Sequence, residues 1–433
     1  MLKKSFKSNQ DDLYKSKLEY LIDLKHPLVL LSEKIHWELF EIEFEKLYCK
    51  DIGRPAKPIR LMVSLLLLKH MFDESDESVI ERWRENPYWQ YFSGMEYFQW
   101  QLPCDRTELI KFRSRIGDSG IEKIFKESID LHGKAGMEKE VIPDTTVQEK
   151  NITFPTDTKL HLKIIDKCMA IGREYGIKWR QTYSRTIKEL RFEARYVRIP
   201  SRAKQGRKAI HKIKTIAGRL SRELSRKLSN EAKAAISKLL LVMKRILEQT
   251  KDSKNKVYSV HEPDVSCIAK GKEHKKYEFG SKVSILVTKN SGVIVGAMNF
   301  QGNPYDGNTL EPALEQSERL RGVKAEKAIV DEGYRGRAKI GETEILRVHQ
   351  PKKKGYSKQR WKQWFKRRAS VEAVISHLKS DHRMGRNYLS GTIGDSINAM
   401  LAASAYNFKK LMYELAFIFR IFKYAFFVLF FNL

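Results

Sequence analysis

The chain reads as an α/β protein with a large helical insertion, preceded by a helical amino-terminal domain. Three observations carry that reading. Strand-like segments rich in Val, Ile and Thr occur at 140–155 and again between 257 and 331. Helical periodicity fills the blocks before and between them. Strand segments far apart in the chain lead into Asp144 and Asp331, and Asp331 falls at a carboxyl edge of the kind where α/β sheets bind ligands.

Composition narrows the class. The 433 residues suffice for two or three domains, each with its own core. Lys and Arg number 82 against 53 Asp and Glu, a formal charge of +29, so a polyanionic partner is the leading expectation. That basicity would also suit a ribosome-associated or anionic-membrane protein. Cys49, Cys104, Cys168 and Cys267 are too widely spaced for a zinc knuckle and read as thiols of a reducing compartment. The Lys-rich start lacks the apolar core of a signal peptide, so the expected location is the cytoplasm, at the chromosome.

Residues 1–125 form the helical domain. Helical patterns at Leu28–Leu31 and Trp37–Phe40 are broken by Gly53-Arg-Pro-Ala-Lys-Pro58, a linker or a slim cationic segment suited to an A·T minor groove. The apolar run 59–72 is too short to span a bilayer and reads as a buried helix; an acidic stretch then caps a helix from Ser78 to Glu85. A helix near Thr107–Arg115 completes a helix-turn-helix-like bundle that presents Lys111, Arg113 and Arg115 to DNA, or alternatively a scaffold with a solvated basic face.

Within 138–157, the first part of the α/β core, residues 140–155 read as a strand, a turn and a second extended piece, with Asp144 after the apolar entry as a metal ligand or a cap. The block 158–255 is helical and basic. Leu220, Leu224 and Leu228 give it a packing stripe, and its excess charge suits a phosphate-facing surface. Residues 256–412 return to strands: Tyr277–Thr288 and Val293–Phe300 form a hairpin, Asn308–Leu320 a helix, and Ala325–Asp331 a strand, followed by another helix. The tail 413–433 is apolar and aromatic but interrupted by Arg420 and Lys423, which favours packing, dimerisation or aggregation over a membrane anchor.

The later helix spans Phe365 to Lys379. At 100° per residue Phe365, Arg368, Glu372 and Lys379 fall within roughly 60° of arc, while Val371, Ile375 and Leu378 form a second, apolar face. Glu372 thus joins Asp144 and Asp331 as a third carboxylate. Three carboxylates drawn together repel, and a shared oxygen-preferring cation, Mg²⁺ or Mn²⁺, would keep them ionised. Two such ions about 4 Å apart support in-line phosphoryl displacement. Neither a His pair or Cys set for zinc nor a GxxxxGK[ST] loop is present.

These segments resemble the bacterial insertion-sequence transposases of the Asp-Asp-Glu type. That family carries Tyr, two residues, Arg, three residues, Glu, six residues and Lys; here Phe365, Arg368, Glu372 and Lys379 stand at those intervals, and only the Tyr position departs. Ile142-Pro-Asp144-Thr-Thr resembles the first aspartate segment, Ile329-Val-Asp331-Glu-Gly-Tyr-Arg-Gly336 the second, and Asp381-His-Arg-Met-Gly-Arg-Asn-Tyr388 the stretch after the Glu/Lys helix. The likeness extends to the amino-terminal region from Gly53 to about Gly117.

It implies a ribonuclease H-like mixed sheet. Asp144 and Asp331 lie 187 positions apart, and the surplus over a bare core is the helical block 158–255. It also implies two Mg²⁺ ions, with Mn²⁺ an alternative, held by Asp144, Asp331 and Glu372. Arg368 and Lys379 would hold phosphate and Arg383 and Arg386 would position the DNA backbone, with helix solubility or intramolecular ion pairs the alternative for all four; Arg335 would position DNA or the acidic loop. Tyr334 would position DNA or pack; Glu149 and Asp264 lie near the inferred core, where turns and caps explain them equally well. The implied reaction is cleavage at transposon ends and transfer of the 3′-hydroxyls into target DNA by a homodimer on double-stranded DNA, the terminal inverted repeats included. A nuclease of the same fold and a catalytically silent DNA-binding descendant remain alternatives. A tyrosine recombinase does not fit, because it would need a Tyr nucleophile among Arg and His.

Overall fold

The computed structural model describes residues 16–49, 55–269, 275–348, 350–351 and 355–431. Gly53 and Arg54, the centre of the minor-groove segment, lie outside the described residues, as does the start of the chain. The chain divides into two compact units, residues 1–149 with 281–433, and residues 150–280.

In the first unit a single turn, α1 (Leu18–Leu21), is followed by α2 (Pro27–Lys34), α3 (Trp37–Glu45), α4 (Ile59–Met71), α5 (Ser78–Glu85), α6 (Pro87–Phe92) and α7 (Arg106–Asp130). The apolar run expected as a buried helix is α4, which is buried along nearly its whole length. Asp105 starts α7 with a capping box, accepting from Thr107 N while Glu108 reaches back to its own backbone. At Gly117, with φ +59°, the helix kinks. These helices share one hydrophobic core with the sheet that follows.

That sheet is mixed. β1 (Glu140–Lys150), β3 (Tyr277–Thr288), β4 (Ile294–Phe300), β5 (Lys327–Val330), β6 (Lys339–Ile340) and β7 (Thr343–Arg347) lie in the order β4-β3-β1-β5-β7-β6, and β8 (Arg386–Asn387) pairs with β1. β3 and β4 run antiparallel, whereas β5 runs parallel to both β1 and β7. α13 (Asp306–Arg321) connects β4 to β5; α14 (Lys358–Arg368) and α15 (Ser370–Ser380) follow β7; α16 (Gly391–Phe431) packs on β4, α2, α4 and α7. Buried Asn407 of α16 accepts from the Ile294 amide and donates to its carbonyl, so the edge strand's polar groups are met from the helix.

The structure corrects three expectations. Residues 140–150 form one continuous strand with no turn, so Asp144 sits inside β1; Thr145, Thr146 and Val147 are β-branched and carry the strand on. β7 is an addition, because its Thr-Glu-Ile-Leu-Arg segment is too short to show a period. The helix expected from Phe365 to Lys379 is two helices, with Ala369 between α14 and α15.

The second unit holds α8 (Asp157–Glu174), α9 (Ser184–Glu193), α10 (Ala203–Lys227), α11 (Asn230–Ala235) and α12 (Ser237–Glu248), with β2 (Ser266–Ala269) antiparallel to the first residues of β3. Its core joins Leu160, Ile164, Cys168, Ile213, Leu220, Leu224, Met243 and Ile246, so the predicted leucine stripe is buried. The opposite face of α10 is basic: Lys204, Lys208, Lys212, Arg219, Arg222 and Arg226 are exposed at three-, four- and seven-residue intervals. At 1.5 Å per residue that stripe runs about 33 Å.

No helix among the described residues is long and apolar enough to cross a membrane. α16 continues into the tail, where Tyr413, Phe417 and Ile418 are exposed.

Candidate active site

The sheet register brings the two aspartates together. Glu140 lies beside Lys327 and Val141 beside Ala328, an offset that, continued along both strands, sets Asp144 against Asp331 just beyond β5. Each aspartate is oriented by a backbone amide: Asp144 Oδ1 accepts from Thr145 N and Asp331 Oδ1 from Gly333 N, both at 2.9 Å. Their Oδ2 atoms turn toward Arg368, the last residue of α14. Arg368 Nη2 stands 3.2 Å from Asp331 Oδ2 and 3.5 Å from Asp144 Oδ2, and its Nη1 donates to Glu372 Oε1 at 3.0 Å. One guanidinium therefore gathers all three predicted carboxylates.

The helices that supply Arg368 and Glu372 are fixed by their other faces. Val371 and Leu378 are fully buried, Val374 nearly so and Ile375 half-buried, as the apolar stripe requires. Trp364 of α14 is buried, and Lys289 and Lys327 lie over its ring. Phe365 is half-buried with its ring centroid 5.3 Å from that of Trp361, a contact a tyrosine ring would also make.

A fourth carboxylate, which sequence reading missed, belongs to the same cluster. Asp306, the first residue of α13, accepts from Thr145 Oγ1 at 2.9 Å and from Lys282 Nζ at 2.8 Å. A Cβ on Gly333 would lie 3.0 Å from Asp331 Oδ1 and 3.1 Å from Asp306 Oδ2, so any other residue would press both carboxylates back by a few tenths of an ångström. The available signal was an aspartate at a helix start, which by itself reads as a cap. Tyr334 is buried beside these groups. Burial, then the charges of Asp144, Asp306 and Asp331, raise its phenol well above the ordinary range and keep it protonated.

The donor set is wholly carboxylate oxygen, which fits Mg²⁺ or Mn²⁺ rather than zinc. A cation also already lies where the oxygens of Asp144, Asp331 and Glu372 converge. With the guanidinium between them, no three His, Cys, Asp or Glu side chains among the described residues are grouped closely enough to hold an ion directly.

The remaining predicted residues divide. Lys111 is exposed on α7; Arg115 is exposed and lies over the Tyr48 ring. Arg113 corrects the expectation of a DNA-facing cation: it is buried, with Nη1 and Nη2 each 3.0 Å from the Asp76 carboxylate, which Lys69 also contacts at 2.7 Å. Arg113 lies on the buried face of α7 with Leu109, Phe112 and Ile116, and a charge there must be paired to be tolerated. Lys379 is half-buried on α15, and Arg386 is exposed on β8. Arg383, at φ +63°, donates to the Asp73 carbonyl and lies 3.2 Å from its carboxylate, so it ties the loop after α15 to the end of α4. Arg335 is exposed, 3.3 Å from Glu332, and exchanges backbone hydrogen bonds with the Tyr305 hydroxyl. Glu149 is half-buried in β1, and Asp264 is exposed in the second unit.

A mixed sheet with carboxylates on two neighbouring strands and a third on a following helix defines the ribonuclease H-like class. The chain matches the family described as "Transposase DDE domain" over residues 251–408, a span that contains Asp331 and Glu372, and "Transposase domain (DUF772)" over residues 16–115. It is 40% identical over 193 residues to an uncharacterized protein, ORF8 in the nfe locus of Rhizobium meliloti, which covers 43% of this chain and 93% of that relative. No solved structure matches. The chain belongs to the transposases of the Asp-Asp-Glu type, a family that works on DNA and generally uses divalent metal ions.

Proposed function

We propose that this transposase cleaves DNA at the ends of its element and joins the 3′-hydroxyls to target DNA, with Asp144, Asp331 and Glu372 holding two Mg²⁺ ions, or Mn²⁺ in their place. The observation that carries the reading is the convergence of three carboxylates on one guanidinium. Bound there, the metals would supply an activated water or 3′-hydroxyl and stabilisation of the leaving oxygen.

The chain's own groups supply the rest. Amides of Thr145 and Gly333 keep the aspartates aimed before any ion arrives. Arg368, released from the carboxylates, turns its guanidinium to a phosphate, for which its planar fork is suited. Lys379, Arg386 and Arg335 hold the DNA backbone near the centre; Arg383 does so while anchored on Asp73. Lys111 and Arg115 engage the terminal repeat from α7, and the basic stripe of α10 binds a further stretch of duplex. Joining two ends in one event calls for a homodimer on DNA, working in the cytoplasm at the chromosome.

The test is Asp331→Asn assayed with end-containing duplexes. Retained end binding with loss of Mg²⁺-dependent cleavage supports the assignment, and unchanged cleavage removes Asp331 from the centre. Precleaved ends given to the wild type separate the alternatives. Joining supports a transposase reaction, cleavage without joining points to a nuclease of the same fold, and neither to a silent DNA-binding descendant.

A further inference from the structure

We propose that Asp306 is a fourth carboxylate of the metal centre, its Oδ2 sharing with Asp331 Oδ1 a divalent cation on the side of Asp331 turned away from Arg368. The inference rests on the metal-dependent reading above and extends it to a residue outside the three-carboxylate signature.

The two oxygens of Asp306 are used differently. Oδ1 takes both Thr145 Oγ1 and Lys282 Nζ. Oδ2 faces the Gly333 turn, where it and Asp331 Oδ1 each lie close to the point a Cβ would occupy, at 3.1 and 3.0 Å, and so stand no more than about 6 Å apart. Closing by about 2 Å would let both reach one ion at the 2.0–2.6 Å distances of Mg²⁺, Mn²⁺ or Ca²⁺. The carboxylate does not serve as its own helix's cap: α13 begins without a side-chain capping bond. Its position is instead set from β1 and β3, through Thr145 and Lys282, and Thr145 is the residue whose amide aims Asp144.

A second observation points into the same space. Tyr334 is only 2% exposed, beside the charges of Asp144, Asp306 and Asp331, and its hydroxyl reaches Thr309 of α13 only in poor hydrogen-bond geometry. A buried hydroxyl left so is expected to meet a group that the protein itself does not provide, such as water on an ion. Asp331 would then bridge two subsites. One lies on its Oδ2 side with Asp144 and Glu372, where Arg368 now stands; the other lies on its Oδ1 side with Asp306.

The competing explanation is that Asp306 only pairs with Lys282. Two variants separate the two roles. Binding of Mn²⁺ to the full chain is followed by electron paramagnetic resonance, and folding by thermal melts in EDTA. If Asp306 is a ligand, Asp306→Asn weakens Mn²⁺ binding roughly ten- to a hundredfold at one of two sites. Lys282→Met, which removes a competing ammonium, tightens it about two- to fivefold. Wild-type Mn²⁺ affinity in Asp306→Asn, or equal weakening in both variants, overturns the inference. Should Asp306→Asn not fold, Lys282→Met decides alone: tighter binding supports the proposal, and unchanged or weakened binding overturns it. A wild-type chain that binds no Mn²⁺, or binds it undiminished in Asp331→Asn, defeats the underlying reading itself. Loss in Asp331→Asn with none in Asp306→Asn defeats only this inference.

Discussion

Replacing Arg368 with Met tests whether the guanidinium is a stand-in for metal. At 3.5 Å from Asp144 and an effective dielectric near 20, a single charge pair is attracted by about 5 kcal/mol before desolvation. Arg368 and Asp144 are each 14% exposed, so their desolvation offsets much of that; Glu372, 67% exposed, adds little. Met keeps most of the apolar stem but takes the guanidinium away from Asp144 and Asp331. The expected loss of stability without metal is about 2–3 kcal/mol, or roughly 3–5 °C in melting temperature for a unit of this size. Divalent cation reverses the order, because no guanidinium has to be displaced. The variant binds Mn²⁺ about tenfold tighter, a gain of about 1.4 kcal/mol, and recovers most of its lost stability when saturated. Thermal melts in EDTA and across a Mn²⁺ titration measure both quantities. A variant as stable as wild type in EDTA, or one that binds Mn²⁺ no more tightly, refutes the stand-in argument.

Other expectations concern the rest of the chain. Arg113→Met should destabilise the helical region by about 1–3 kcal/mol in urea unfolding, because Asp76 loses the two guanidinium hydrogen bonds and keeps only Lys69, while the salt dependence of DNA binding stays as it was. Burial works to raise the Asp76 carboxyl, but the Arg113 and Lys69 contacts outweigh it and hold it below its ordinary value. Lys204→Gln, Arg219→Gln and Arg222→Gln together should lower DNA affinity evenly across sequences and flatten the salt slope by about 0.9 for each phosphate no longer neutralised; a slope equal to wild type would remove α10 from the interface. Acid should weaken the fold through two buried histidines. Burial, only partly offset by the 2.9 Å bond to the His70 carbonyl, lowers His382 to about 4, and burial followed by the Lys69 charge lowers His70 to about 3. Both lie below the unfolded value of about 6.5, so between those limits the unfolded chain binds more protons. Stability is full above pH 6.5 and should fall by about 2–3 kcal/mol per histidine by pH 4.5. Denaturant midpoints at pH 7 and 4.5 measure the loss, and His382→Gln should remove its share.

The site was legible where its geometry is local. Arg368 and Glu372 are four positions apart, about one helical turn, and their ion pair survives the break at Ala369 because that residue keeps near-helical angles. The apolar stripe of α15 was likewise readable, since its period is a property of one helix. What no period shows is partnership between distant segments. The role of Arg113 depended on α7 packing against the Asp76 loop, and a basic residue on an amphipathic pattern reads the same whether its partner is phosphate or carboxylate. Asp306 was invisible as a site residue for a similar reason: it sits at a helix start, where aspartate is common, and its meaning depends on Thr145 and Lys282 from two other strands.

The sequence alone determined a basic α/β chain, the strand-borne aspartates, the Arg-Glu helix and its family, since charge, period and motif spacing survive in one dimension. Tertiary structure decided which charges meet. The parallel register of β1 and β5 set Asp144 against Asp331, the end of α14 placed Arg368 among three carboxylates, and the Gly333 turn brought Asp306 alongside. Coulomb and hydrogen-bond energies fall off within a few ångströms, so which of the 53 acids and 82 bases matter to the centre is settled only when the chain is folded.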